Sequence, residues 1–254
     1  MRKGTDGIKF SGEILVAEDN PSNQMLIMLL LKKIGFEPTI ANDGQIALDL
    51  FETKPFRAVL MDMMMPNMNG YEATRNLRSR GVEIPIIAVT ANAMKGDREK
   101  CLVAGCDEYI SKPITMEKLK QTLLTFLEPE LSNDDVNNNN VQKPSDETVN
   151  EKTAITSELA NDPDLCIVAE MFVERLSQLT DGIKKAMQDN DVKKLKDLFH
   201  EIKGAGGSAG FPILTEKSAH IERLIIDNKP DELKKSIDEF FNICSRVEAP
   251  QKIS

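Results

Sequence analysis

Apolar residues follow two different rules along this chain, and the change between them divides it. Up to residue 128, short runs of β-branched and aliphatic residues alternate with stretches whose apolar positions recur every three or four residues. The runs predict strands at 14–17, 38–41, 58–61, 84–89 and 108–110, and the stretches predict helices at 21–34, 44–51, 70–80, 94–104 and 116–126. Strands alternating with helices imply a parallel sheet covered on both faces, because parallel neighbours need right-handed crossovers. The expected first unit is α/β, a doubly wound five-stranded parallel sheet, with its sites at the carboxyl ends of the strands.

Beyond residue 164 only the helical period remains, over 165–188, 192–209, 213–226 and 230–247. Asp189, Asn190 and Asp191 separate the first two segments, Gly210, Phe211 and Pro212 the next two, and Asp227, Asn228 and Lys229 the last two. Short connections between long amphipathic helices make neighbours antiparallel, so an all-α, up-and-down four-helix bundle is expected. Between the two units lie NDDVNNNN and KPSDET, with few large apolar residues, and such a stretch cannot bury enough surface to offset its ordering entropy. The resulting division is a lead over 1–11, a first domain over 12–128, a flexible acidic tether over 129–160 and a second domain over 161–250.

Charge sharpens this division. The net charge of −9 divides into −1 for residues 1–128, −6 for 129–163 and −2 for 164–254, so most of the excess lies in the middle. Without a basic face, nucleic acid is not the expected partner. The four cysteines, at 101, 106, 166 and 244, show no metal-ligand spacing and suit buried thiols in a reducing compartment. The longest apolar run, 25–31, is far shorter than a membrane span, so this chain is expected to be cytoplasmic, although a parent protein anchored in a membrane is compatible with it.

Three acids fall where strands end: Glu18 and Asp19 after the first, Asp62 after the third. Neighbouring strand ends would gather them into one pocket, where like charges repel and a hard divalent cation such as Mg2+ relieves the conflict. Thr90 follows the fourth strand with a hydroxyl, and Lys112 follows the fifth with an ammonium. A carboxylate flanked by a cation, an ammonium and a hydroxyl can attack a phosphoryl donor and hold the acyl phosphate, with Asp62 as nucleophile. Methionines 61, 63, 64, 65 and 68 cannot all converge on one soft metal from a strand end and turn, and read as core.

The segments ILVAEDNPSN, VLMDMMMPNMNGYEATRNLR, AVTANAM and YISKPI resemble the response-regulator receiver domain, of the kind attached to hybrid histidine kinases. The resemblance covers residues 12–128 and implies a flavodoxin-like fold. It implies that Asp62 is the phosphoacceptor and that Glu18, Asp19, Asp62 and the backbone carbonyl of Met64 hold Mg2+. It further implies that Thr90 and Lys112 bind the phosphoryl oxygens, and that Thr90 and Tyr109 act as the switch on phosphorylation.

The chain has two histidines. In the second bundle helix Leu195, Leu198, Phe199, Ile202, Ala205 and Ala209 define an apolar face, and His200 lies roughly 200 degrees around from Ile202, so its ring is expected to face solvent. Lys203 and Gly204 follow on the same face, one to neutralise phosphoryl charge and the other to leave room for the group or an approaching partner. Gly204, Gly206 and Gly207 are costly in a helix, at about 1 kcal/mol each, and for Gly206 close packing with a neighbouring helix is a structural explanation. The segment LFHEIKGAGGSAG, with four helices around it, resembles the histidine-containing phosphotransfer domain over about 160–250, which implies that His200 carries a phosphoryl group beside Lys203, with Gly204 supporting the motif. His220 has no such setting and reads as structural.

The two resemblances together imply a phosphorelay protein, the C-terminal part of a hybrid sensor histidine kinase. Its partners would be an upstream histidine kinase and a downstream receiver domain, with internal docking permitted by the tether. No kinase core is read in the chain, so it would carry the phosphoryl group rather than draw it from ATP. A phosphatase using an aspartate nucleophile would want a second acid where Met64 stands. A DNA-binding regulator would want a basic recognition helix, and a phosphorylation-independent scaffold would not need the intact site residues.

Overall fold

The computed structural model describes residues 9–90, 95–129 and 154–250. The first unit runs β1(Glu13–Ala17), α1(Pro21–Lys33), β2(Glu37–Ala41), α2(Gly44–Phe51), β3(Ala58–Asp62), α3(Gly70–Ser79), β4(Ile86–Thr90), α4(Lys95–Ala104), β5(Glu108–Ser111) and α5(Met116–Phe126). All strands are parallel, in the order β2-β1-β3-β4-β5. That order reverses direction between β1 and β3, which brings the carboxyl ends of those two strands side by side, where an open α/β sheet forms its crevice.

Alternation along each strand feeds two apolar layers. Ile14, Val16, Leu60, Ile87 and Val89 face α1 and α5 through Leu26, Ile27, Leu30, Leu119 and Leu123. Leu15, Ala17, Val59, Met61 and Ala88 face the opposite way, onto Ala47, Leu48, Ala73, Leu77 and Cys101 of α2, α3 and α4. Met61, Met63 and Met65 are buried in this second layer, as core rather than ligands.

The helices enter the sheet's crevice end on fixed caps. Asn20 accepts from the amides of Ser22 and Asn23 at 3.0 and 3.2 Å and starts α1 just after Glu18 and Asp19. Asn69 accepts from Glu72 at 3.0 Å and starts α3. Gly70, the first residue of that helix, has no room for a side chain, because a Cβ there would run into the carbonyl oxygen of Asp62.

The second unit is all-helical: α6(Cys166–Gln188), α7(Val192–Ser208), α8(Pro212–Ile226) and α9(Pro230–Cys244), with consecutive helices packed together. Phe172, Phe199, Phe211 and Phe240 are completely buried, the first and third in ring contact at 5.6 Å, the second and fourth edge-on at 5.1 Å. Gly206 lies where a Cβ would be 3.3 Å from Leu214 and 3.6 Å from Phe172, so this glycine lets α7 and α8 close on each other.

Residues 154–160, which the sequence assigns to the tether, are bonded to the bundle instead. Ile155 pairs with Val247, and Ser157 Oγ donates to the carbonyl of Ala209 at 2.7 Å. The glycine turn ending α7 exposes carbonyls that need donors, and this strap supplies them. The rest of the expected tether, with Asn92 and Met94 of the AVTANAM segment, lies outside the described residues.

The two units touch. Helix α1 packs on α6 and α7, and Lys33 at its end pairs with Asp162 and Asp164 just before α6. Among the described residues no helix is long and apolar enough to cross a membrane.

Candidate functional site: an acid pocket facing a histidine

Glu18, Asp19 and Asp62 come together at the ends of β1 and β3, with carboxylate oxygens within 4.8 Å of one another. Glu18 and Asp62 are buried and Asp19 is exposed. Lys112 reaches over from the end of β5 and places its ammonium 2.7 Å from Asp62 Oδ2 and 2.8 Å from Glu18 Oε2. The contact to Asp62 is a hydrogen bond. Glu18 Oε2 is buried with that ammonium as its one close polar neighbour, while Oε1 accepts from Asn23 Nδ2 at 2.9 Å. Met64 donates its amide to Asp62 Oδ1 at 3.0 Å, which fixes the carboxylate's orientation, and its own side chain is exposed.

The electrostatics follow from this crowding. Burial pushes the Glu18 carboxyl up to about 8, against the opposing pull of Lys112. Asp19, although open to solvent on one side, is also raised, by the partial desolvation it meets at the pocket's rim and by Asp62 beside it, with Glu201 of the bundle adding a smaller repulsion. Burial works against the Lys112 ammonium, but Glu18 and Asp62 hold its pKa above the ordinary lysine value. Three carboxyl groups share one ammonium, and the burial that raises two of them marks charge the pocket does not fully neutralise. Such a set of hard oxygen donors fits a small divalent cation.

Thr90, buried at the end of β4, stands opposite Ser111 in the register, and its carbonyl accepts from the Lys112 amide at 2.8 Å. Tyr109 is half-buried on β5 at the margin of the second apolar layer, with the Arg98 guanidinium 5.9 Å from its ring centroid.

In the bundle, His200 is half-buried rather than fully turned to solvent, because α8 supplies a partner that the α7 pattern does not reveal. Glu222 Oε1 lies 2.8 Å from His200 Nδ1, and Glu222 Oε2 accepts from Lys203 Nζ at 2.9 Å. Burial alone would raise the Glu222 carboxyl, yet the hydrogen bonds from His200 and Lys203 hold it below the usual carboxylate range. An ionised carboxylate can only accept, so Nδ1 carries the proton and the lone pair is left on Nε2. His220 is exposed on α8 and away from this group.

The acid pocket and the histidine share one side of the contact between the units. A Cβ at Gly204, one turn beyond His200, would lie 4.0 Å from Lys112 Cδ, an ordinary contact. The tighter approach is at Gly207, where a Cβ would be 3.3 Å from Pro113 and 3.0 Å from Thr215 Oγ1. Small residues on α7 thus admit the loop that carries Lys112, and Lys112 in turn holds Asp62.

Comparison with known proteins agrees with this anatomy. Residues 14–124 match the family model described as response regulator receiver domain, and residues 168–249 match that of the Hpt domain. The chain is 45% identical over 152 residues to hybrid signal transduction histidine kinase I of Dictyostelium discoideum, a stretch covering 52% of this chain and 9% of that protein. It is 30% identical to the sensor histidine kinase GacS of Pseudomonas protegens, over 93% of this chain and 26% of that protein. The chain therefore spans about a quarter or less of the length of these relatives. Among solved structures, the receiver domain of a Pseudomonas aeruginosa sensor histidine kinase, crystallised with magnesium in its active-site cleft, is 43% identical over 45% of this chain and 95% of that one, with a TM-score of 0.43. This chain carries a response-regulator receiver domain followed by an Hpt domain, the arrangement its sequence resembles.

Proposed function

We propose that the chain is a phosphoryl carrier in a two-component phosphorelay, in which Asp62 accepts a phosphoryl group and His200 of the same chain exchanges it. The observation that carries this reading is the docking of α7 against the Lys112 loop, which sets the histidine's helix over the pocket that holds Asp62.

Asp62 attacks the donor phosphorus with a carboxylate oxygen already oriented by the Met64 amide, the new P–O bond forming as the bond from phosphorus to the donor atom breaks and the donor leaves with that electron pair, while the Lys112 ammonium neutralises charge on the phosphoryl oxygens. Thr90 adds its hydroxyl from β4, and Tyr109 on β5 responds to the change at Thr90. Glu18, Asp19 and Asp62, completed by the Met64 carbonyl, would hold Mg2+, which supplies further neutralisation of the transferring group when bound. In the second step the Nε2 lone pair of His200 forms the P–N bond as the P–O bond to Asp62 breaks, and Asp62 leaves as a carboxylate. The positive charge that develops on the ring is matched by Glu222 through Nδ1–H. The reaction is reversible in principle, since each step only moves the phosphoryl group.

The partners on this reading are an upstream histidine kinase that loads Asp62 and a downstream receiver that unloads His200, within a hybrid sensor kinase working at the cytoplasmic side. Residues 12–128 and 161–250 act as the two domains, and the acidic tether keeps them at high effective concentration.

Acetyl phosphate with magnesium tests the assignment through the stability of the label, because acyl phosphate and phosphoramidate differ in acid and alkali. Asp62→Asn is expected to abolish all labelling, and His200→Gln only the acid-labile part. Full labelling of Asp62→Asn removes the receiver assignment, and acid-labile label in His200→Gln moves the carrier role to His220 or elsewhere.

A further inference from the structure

Helix α1 packs on α6 and α7, and only its first turn is near the chemistry. Its first turn follows Glu18 and Asp19, and its last residue, Lys33, lies on the order of 20 Å away along the axis, as 13 residues require. There the Lys33 ammonium is 3.3 Å from Asp162 and 3.0 Å from Asp164.

We propose that Asp162 and Asp164 are a selectivity determinant by which the bundle recognises receivers whose first helix ends in a cation, its own receiver among them. The inference rests on the reading that Asp62 and His200 exchange a phosphoryl group in the docked state.

Both sides of the contact are held in place by their own folds. Asp162 Oδ1 accepts from the amides of Asp164 and Leu165 at 3.0 and 3.2 Å, and its carbonyl accepts from Cys166 at 2.9 Å, so the acid is built into the entry of α6. The strap before it is tied to the same end of the bundle, where α7 and α9 finish, through Ile155 and Ser157. On the receiver, a lysine closing α1 sits at the negative end of that helix's dipole, as two acids before α6 sit at the positive end of theirs.

The side chains of Lys33, Asp162 and Asp164 are 34%, 36% and 61% exposed, which makes the contact weak as a source of stability. Its strength is discrimination, because a receiver with an acid at this position would face two like charges at the rim. Rim charges act mainly on encounter and on the exclusion of wrong partners, and salt screens them.

The test uses the full chain with acetyl phosphate and magnesium, following label on Asp62 and acid-labile label on His200 separately. Lys33→Glu is expected to leave Asp62 labelling unchanged and to slow its passage to His200 by about tenfold at low ionic strength, with the deficit shrinking in high salt. The triple variant Lys33→Glu, Asp162→Asn, Asp164→Lys is expected to recover the native rate, the asparagine keeping an acceptor for the amides of residues 164 and 165. Native transfer by Lys33→Glu at low ionic strength would overturn the proposal, as would a loss that the triple variant does not repair while its helix content is native. Failure of the underlying reading looks different, since the native chain would then bring no label to His200 at any salt.

Discussion

Glu222 Oε1 stands 2.8 Å from His200 Nδ1, and this one contact, made between α7 and α8, puts the proton of the neutral ring on Nδ1 and the lone pair on Nε2. The same carboxylate holds Lys203, so one acid organises both residues of the histidine motif. Glu222→Ala is expected to slow phosphoryl acceptance by His200 by about tenfold to a hundredfold, the equivalent of ~1.5–3 kcal/mol for lost hydrogen bonds to a charged group. Glu222→Gln, which still offers an acceptor to Nδ1, should recover most of that. The time course of acid-labile label checks it, and an unchanged rate in Glu222→Ala would show that the ring is oriented by something else.

The depressed pKa of Glu222 also has a signature in stability. A carboxyl that titrates lower in the folded chain binds fewer protons there, so its contribution is complete above its unfolded value and is lost as pH falls through the folded one. The stability difference between the native chain and Glu222→Gln, from urea unfolding, is therefore expected to be flat near neutrality and to shrink only below the usual carboxylate range. A difference that persists undiminished below the usual carboxylate range would contradict the ion-pair account.

Lys112 is nearly enclosed between Glu18 and Asp62, and its removal leaves two buried carboxylates facing each other. Lys112→Met should lower stability in chelator by about 3 kcal/mol, the range for breaking a buried pair, and magnesium should restore part of the loss. Thermal unfolding with and without the cation measures both. A melt in chelator that matches the native chain would mean that the ammonium does not neutralise the pocket.

Gly70 gives a purely steric test. A methyl group there meets the Asp62 carbonyl, so Gly70→Ala must shift either α3 or the end of β3. The expected cost is ~2–4 kcal/mol, with weaker labelling of Asp62. Native stability in this variant would contradict the close approach of α3 to the phosphoacceptor strand.

Much of this architecture is legible in the residues. The strands and helices lie within a few positions of the hydrophobic pattern, because alternation in β1, β3 and β4 and the 3.6-residue period in the helices report directly on burial. The acids, Thr90 and Lys112 are legible for the same reason, since each directly follows or closes an apolar strand. Glu222 is not, because its role depends on the rotation of α8 against α7, and a charged residue in an amphipathic helix ordinarily reads as solvated surface. The strap at 154–160 is too short to show a strand or helix period and so passes for tether, and its order comes from carbonyls near residue 209 that need donors. The approach of Gly207 to Pro113 depends on how the units dock, which neither unit's periodicity encodes.

The most direct test of the account is the rate at which label moves from Asp62 to His200 in the full chain, measured over a wide range of chain concentration. Transfer within one docked chain predicts a first-order rate that does not change with concentration and disappears in Asp62→Asn and in His200→Gln. A rate that rises in proportion to concentration, or that is restored by mixing those two variants to the native level, would contradict it.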